Sequence, residues 1–345
     1  MPKVKIIDPT TYENWDELLL SNPKSSFFHT AGWAKVLHQS YGYKPLYFTM
    51  VENDQLTGLL AIMEVNSLLT GKRGVSLPFT DHCPVIAEDS RTFQDLFDFA
   101  VELGAKQGWK GLELRGGNKH LGANTPSDTF NTHVLDISAH KDDIRSTFRD
   151  STRRNIKKAE NTELTIEVSR SLASMEHFYR LNCLTRQDHG LPPQPFAFFN
   201  RIYEHIIAQQ KGMVVLAFQN ANKCIAGAVF SSFNDQVIFK YGASDKSSHA
   251  LRPNNLVMWE AIKIYSQNGC NSFDFGRTDL DHKGLLQFKR GWGTQEDTIH
   301  YYNYDLAKGE FVNRYPKIKS SYSIFRHMPM PLLKLVGRVL YKHVG

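Results

Sequence analysis

The sequence predicts an α/β protein of mixed sheets flanked by helices, arranged as two similar halves. Three observations predict it. First, 345 residues with 41% apolar side chains are enough for about two domains with buried cores. Second, segments alternating with period two recur between segments of helical spacing. Third, the chain echoes itself. Ala100 and Ala261 sit in predicted helices that end at Gly108 and Gly269, and both pairs lie 161 positions apart. Leu112-Glu113-Leu114 and then Arg115 follow the first, and Phe273-Asp274-Phe275 and then Gly276-Arg277 follow the second. Upstream, Leu56-Thr57-Gly58 and Ile225-Ala226-Gly227 each open an apolar strand after a polar turn, 169 positions apart, so the second copy carries a few extra residues. Coincidence between generic helix–strand units is the alternative; several elements in one order favour duplication.

In the first half, residues 4–7 read as a strand, 12–20 and 32–39 as helices, and 46–51, 59–65 and 75–77 as strands. A helix at 93–107 stops at Gly108 and precedes a strand at 111–114. Residues 116–131, rich in Gly, Asn, Pro and Ser, read as a loop. In the second half a helix at 142–160 precedes a strand at 164–168, helices at 175–184 and 195–210, and strands at 214–218, 226–233 and 237–241. Pro253 suits the first turn of a helix over 253–268, where its missing N–H costs nothing, and Asn268-Gly269 ends that helix. A strand at 272–275, a helix at 284–290 and a strand at 300–304 complete the half. The expected domains are 1–137 and 138–310, followed by a basic amphipathic tail at 311–345.

Several classes find no support. The opening residues show no basic segment leading into an apolar run, which predicts no signal peptide, and no stretch reaches the roughly 18 apolar residues of a membrane span. Cys83, Cys183, Cys224 and Cys270 are scattered, so no metal site is expected and a cytoplasmic location fits. Cys83 beside His82 does not make a nucleophile pair, because neighbours on a strand face opposite ways. There is no G-x-S-x-G. The net charge of +6 suits anionic partners such as phosphates, nucleotides, RNA or an acidic membrane surface; it equally suits a surface with a slight excess of lysine.

The most informative stretch is 239–293: strand, polar loop, helix, glycine stop, strand, turn and short basic helix. Tyr241-Gly242-Ala243, Pro253-Asn254-Asn255, Phe273-Asp274-Phe275-Gly276-Arg277 and Gly284-Leu285-Leu286-Gln287-Phe288-Lys289 follow one another in this order. That order resembles the second domain of the FemAB/FemX-like transferases, within the wider GNAT acyltransferase fold and closest to the FemAB-related group of polysaccharide and cell-envelope loci. The resemblance covers most of residues 20–300. It implies two tandem GNAT-like domains and transfer of an acyl or aminoacyl group to an amine, from acyl-CoA or aminoacyl-tRNA, with no permanently bound cofactor.

Such transfer needs a neutral, aimed amine and a polarised carbonyl. The resemblance implies that Lys289 is a cation beside the reacting carbonyl; otherwise it is a solvated member of the pair Lys289-Arg290. Asp274 and Arg277 supply either a base with its orienting partner or an ion pair. The expected donor site comprises Tyr241, Ala243, Ser244, Arg252, Asn254, Asn255 and Phe288. It lacks the glycine cradle of acetyl-CoA enzymes, which counts against acetyl-CoA and leaves aminoacyl-tRNA, another acyl carrier or an atypical CoA site.

On the acceptor side, Trp33 and Lys35 sit in a motif, Phe28-His29-Thr30-Ala31-Gly32-Trp33-Ala34-Lys35, whose lysine by resemblance meets acceptor phosphates; a solvated lysine is the alternative. Arg154 shares a helical face with Lys158 and either contacts phosphate or faces water. Arg186 and Asp188, within Thr185-Arg186-Gln187-Asp188-His189-Gly190, either read an acceptor or cap a helix. The family's arginine and paired tyrosines are replaced by Gln194-Pro195-Phe196-Ala197-Phe198-Phe199, which argues against a UDP-muramyl peptide or lipid II. In the tail, Lys334, Arg338 and Lys342 share one helical face opposite Leu332, Leu335, Val336, Val339 and Leu340, the pattern of an interfacial helix or of one docked on the second domain, while Gly337 weakens it as an isolated helix.

The expectation is therefore an N-acyl or aminoacyl transferase acting on an anionic small-molecule or lipid-linked acceptor. A tRNA partner and peripheral contact with the inner face of the plasma membrane are compatible with it. A CoA-dependent acyltransferase on an amino sugar and a non-catalytic membrane-associated module are the competing readings.

Overall fold

A computed structural model describes residues 3–138, 143–220, 222–313 and 323–344. Asp142, the predicted start of a helix, and residues 314–322 of the predicted tail lie outside them. The strands are β1 (Lys5–Ile7), β2 (Lys44–Glu52), β3 (Gln55–Ser67), β4 (Gly71–Val75), β5 (Ile86–Ala87), β6 (Gly111–Arg115), β7 (Asp128–Asp136), β8 (Leu164–Ser169), β9 (Gly212–Gln219), β10 (Lys223–Phe233), β11 (Gln236–Ser244), β12 (Ser272–Asp274), β13 (Thr278–Asp279), β14 (Gln295–Asp305) and β15 (Glu310–Val312). The helices are α1 (Trp15–Leu20), α2 (Ala31–Tyr41), α3 (Ser90–Gln107), α4 (Asn118–Leu121), α5 (Asp150–Glu160), α6 (Leu172–Asp188), α7 (Phe196–Ile202), α8 (Pro253–Gln267), α9 (Lys283–Arg290), α10 (Ser323–Arg326) and α11 (Met330–Val344).

The chain forms two compact units, each discontinuous in sequence. The first draws on residues 1–130, 298–319 and 339–345, and the second on 131–297 and 320–338. In the first the strand order is β1-β2-β3-β4-β6-β14. Strands β1 to β4 form an antiparallel meander. After the crossover through α3, β6 joins parallel to β4, and β14 then pairs antiparallel with β6. The second unit runs β8-β9-β10-β11-β12-β7 on the same plan. Here β12 follows α8 and joins parallel to β11, and β7 pairs antiparallel with β12. In each unit the closing strand comes from the other half of the sequence.

The internal echo extends to the hydrogen bonds that stop the crossover helices. Gly108 (φ 74°) donates to Ala105 O and Trp109 to Gly104 O. Gly269 (φ 84°) donates to Ser266 O and Cys270 to Tyr265 O, each 161 positions later (Trp109 to Cys270, Gly104 to Tyr265). A left-handed glycine lets both helices turn straight into the next parallel strand.

Four elements depart from expectation. Residues 128–131, assigned to a loop, and 132–136, assigned to no element, form β7; its buried face carries Asn131 and His133 beside Leu135, so polar side chains hide the alternation. The helix expected at 142–160 begins at Asp150, because buried Phe148 is extended and packs edge-on against Trp259 and Trp292. The helix expected at 195–210 ends at Ile202 and continues as a wide turn over Tyr203–Ile207. The strand expected at 75–77 is Gly71–Val75.

The second unit's core sets Val257, Met258, Ala261, Ile262 and Tyr265 of α8 against Val215, Ala217, Ala228 and Phe230 of β9 and β10. Trp292, fully buried just after α9, meets the rings of Phe148 at 5.0 Å, Phe288 at 5.9 Å and Phe275 at 6.2 Å. Its indole nitrogen has no hydrogen-bond partner among the described residues, so its value is packing. Trp292→Ala is expected to destabilise the protein by about 3–5 kcal/mol, read as a lower urea midpoint, whereas Trp292→Phe keeps most of the ring contacts and loses much less.

Candidate active site

The site grows from the short parallel ladder of the second unit. Strand β11 pairs with β12 at three positions only, Gln236↔Ser272, Val237↔Phe273 and Ile238↔Asp274. Strand β12 ends at Asp274, while β11 runs on to Ser244. Against β10, Val229 faces Tyr241 and Phe230 faces Phe239, so Lys240 is an extra residue, a bulge that bends β11 at this point. Beyond the third rung, residues 239–244 have no paired position on β12, and an acyl donor can lie along that margin. Gly242 is needed here: a Cβ would sit 2.5 Å from the folded-back ring of Phe239.

The chain after β12 is pulled aside by fixed contacts. Asp274 Oδ1 accepts from Gly276 N at 2.7 Å and from Thr132 Oγ1 at 3.3 Å. Phe275 N donates to His133 O at 2.9 Å. Gly276 is left-handed (φ 70°). Lys289 is only 2% exposed, and its ammonium donates to Gly276 O at 2.7 Å and Arg277 O at 3.1 Å. A buried ammonium is tolerated only when its donors are used, so these carbonyls and the lysine hold one another. The expected cation is thus buried beneath the turn rather than displayed on the basic face of α9. The Arg277 side chain is exposed, and Phe288 is half-buried against Trp292.

At the far end of β11 the predicted donor residues converge. Ser244 N donates to Thr185 Oγ1 at 3.1 Å, and Thr185 Oγ1 donates back to Ser244 O at 3.3 Å. Ser244 Oγ lies 2.8 Å from His249 Nε2 and accepts from Asn254 Nδ2 at 3.1 Å. Arg252 is exposed and left-handed (φ 59°) immediately before Pro253, and no side chain caps the start of α8. Pro253 has no N–H, and Asn255 N and Leu256 N donate to Arg252 O at 3.0 and 3.4 Å, so it is the exposed Arg252 guanidinium that suits an anion here. Asn255 and Ala243 are buried, and the half-buried Tyr241 ring packs against Phe199 at 5.4 Å.

Of the residues predicted to bind the acceptor, two fall in the first unit and three in the second. In the first, Trp33 is 1% exposed and donates from Nε1 to Thr80 Oγ1 at 3.0 Å, fixing the loop after β4, and Lys35 is half-buried on α2. In the second, Arg154 is exposed on α5, and Arg186 and Asp188 lie in the last turn of α6. The backbone there turns by Gly190 N→Gln187 O and Leu191 N→Arg186 O bonds. Phe198 and Phe199 are fully buried, so that stretch offers no polar reader. Gly337 has a packing role: a Cβ there would collide with Pro193 O, where α11 passes close to the second unit's backbone.

Residues outside the predicted set also shape the site. His133, fully buried on β7, has Nε2 3.2 Å from Glu296 Oε2; burial first, then the Lys289 charge, lowers its pKa. Glu296 also accepts from Asn131 Nδ2 at 2.8 Å and is gripped by Arg290. Nothing in the sequence marks this cluster, since its members are about 160 positions apart. Asp245 does leave a mark, an Asp-x-Ser turn before α8: Oδ1 accepts from Ser247 N at 2.9 Å and Ser247 Oγ at 2.6 Å, and Oδ2 meets Lys223 at 2.9 Å.

Comparison with known proteins adds family evidence. Residues 146–284 match the acetyltransferase (GNAT) domain family. Lipid II:glycine glycyltransferase of Staphylococcus epidermidis is 34% identical over 76 residues, which is 20% of this chain and 18% of that protein; the Staphylococcus aureus enzyme is 32% identical over the same length. The chain therefore spans under a fifth of the length of these curated relatives. Among solved structures, FemX superposes with a TM-score of 0.69 at 14% identity, covering 86% of this chain and 96% of that one. L-PGS from Bacillus licheniformis gives 0.57 at 12% identity over 97% and 99%. A tandem GNAT protein from the clavulanic acid biosynthesis pathway gives 0.53 at 8% identity over 88% and 99%. The fold is the tandem GNAT fold.

Asp245 provides a pH test of the loop between β11 and α8. Hydrogen bonds from Ser247, then the Lys223 contact, lower its pKa from 3.8 to about 2. A carboxylate held low stabilises the folded state above its unfolded value, and that stabilisation is lost as pH falls through the folded one. Wild type is expected to exceed Asp245→Asn in urea midpoint at neutral pH, and the gap should narrow between pH 3.8 and about 2.

Proposed function

The chain is a FemAB/FemX-like protein of the GNAT fold, and from that premise we propose that it is an N-acyl or aminoacyl transferase acting on a cell-envelope precursor. The observation that carries this reading is the parting of β11 from β12 after three rungs, with Ser244, Asn254 and the exposed Arg252 gathered at the end of β11. The donor's activated carbonyl lies along residues 239–244, where backbone N–H groups polarise it. Ser244, Asn254 and Arg252 hold the carrier, with its phosphates at the start of α8. A neutral amine attacks the carbonyl, an amide forms, and the carrier leaves with its oxygen or sulfur. Asp274 and Lys289 keep the Gly276–Arg277 turn out of the gap, and the Lys289 charge favours the tetrahedral oxyanion.

The donor is an aminoacyl-tRNA or an acyl thioester, and the missing glycine cradle favours the former. The acceptor amine belongs to an anionic or lipid-linked precursor. The curated relatives are named for lipid II, which makes a lipid-linked envelope precursor the first substrate class to test. Among the described residues no helix is long and apolar enough to cross a membrane. Leu332, Leu335 and Val339 of α11 are each about half exposed, which supports peripheral contact by the tail.

The test supplies purified protein with labelled aminoacyl-tRNA or acyl-CoA and a panel of amine acceptors, including lipid II, and reads amide product by mass spectrometry. Product from one donor class is expected, with kcat/KM reduced about a hundredfold in Lys289→Met while circular dichroism stays native. Absence of product from every pair, or full activity in Lys289→Met, overturns the assignment.

A further inference from the structure

The tip joining β3 to β4 carries two adjacent leucines, Leu68 at 97% and Leu69 at 68% exposure. Tight turns are usually built from Gly, Asn, Asp, Ser or Pro, for conformational reasons that leucine does not share. Burying a leucine is favourable, and at these exposures neither side chain gains that within the described residues. The tip is nevertheless held in shape. Ser67 Oγ accepts from Leu69 N at 3.2 Å and Thr70 N at 3.0 Å, and it lies 3.0 Å from His343 Nδ1. His343 O in turn accepts from Thr70 Oγ1 and Arg73 Nη2, each at 3.4 Å. The tip is thereby tied to the last turn of α11, where Val344 is 66% exposed.

Cations surround this apolar point. Lys72 and Arg73 follow the tip, exposed Lys342 sits beside His343, and the Lys110 side chain lies against Gly71 at the base of the turn. Glu64, 3.2 Å from Lys72, offsets part of that charge. Projecting leucines ringed by lysine and arginine match a surface with an apolar interior and an anionic face.

We propose that the Leu68-Leu69 tip, with the end of α11, inserts into an anionic lipid surface. This goes beyond the transfer chemistry and does not depend on it. Co-sedimentation of the full chain with sucrose-loaded vesicles tests it. Binding is expected to vesicles containing phosphatidylglycerol and not to phosphatidylcholine alone, and to weaken as salt is raised. Leu68→Ser/Leu69→Ser should lower that affinity roughly tenfold without changing Tm or transferase activity on a water-soluble acceptor. No binding by wild type, equal binding by the variant, or equal binding to both vesicle types overturns the proposal. So does light scattering that finds a wild-type dimer converted to a monomer by the variant, since a second copy would then be the occupant.

Discussion

The geometry of the second unit rests on a parallel ladder that stops after three rungs. Two features keep it short. On one side the extra residue Lys240 bends β11; on the other, Asp274 and Lys289 capture the chain leaving β12. Were β12 to follow β11 further, its backbone would pair with the margin that residues 239–244 leave open on that side. Lys289 is central because its ammonium has left water and can be compensated only by well-aligned acceptors. The demand that buries this charge also fixes the position of Gly276 and Arg277.

Polar groups behind the gap form a second constraint. His133 faces Lys289 and Arg290 as positive neighbours and Glu296 as its acidic one. Its lowered pKa keeps the imidazole neutral near pH 7, so Glu296 and Arg290 retain a favourable charge balance around it. Asn131 and Arg290 hold the Glu296 carboxylate in place. These polar contacts tie β7, through Asn131 and His133, to Glu296 on β14 and Arg290 on α9.

What the sequence reveals follows the locality of its signals. Pro253 in the first turn of α8, the glycines after α3 and α8, and the internal echo are local patterns, and each appears where expected. The convergence of Ser244 and Asn254 also follows from one loop. Strand β7 is hidden because Asn131 and His133 occupy its inner face, and the shortened α5 depends on where Phe148 finds its aromatic partners. The burial of Lys289 is hidden for a different reason: its partners are main-chain carbonyls, which leave no trace in side-chain identity.

The exchanged closing strands impose a timetable on synthesis. Strand β6 ends at Arg115, yet its antiparallel neighbour β14 begins at Gln295. At ribosomal speeds that interval lasts on the order of ten seconds or more. Throughout it, the first-made sheet presents one bare hydrogen-bonding margin to its surroundings, where stray strands can adhere. Chaperone shelter during elongation therefore matters more for this topology than for one whose domains finish in the order they emerge.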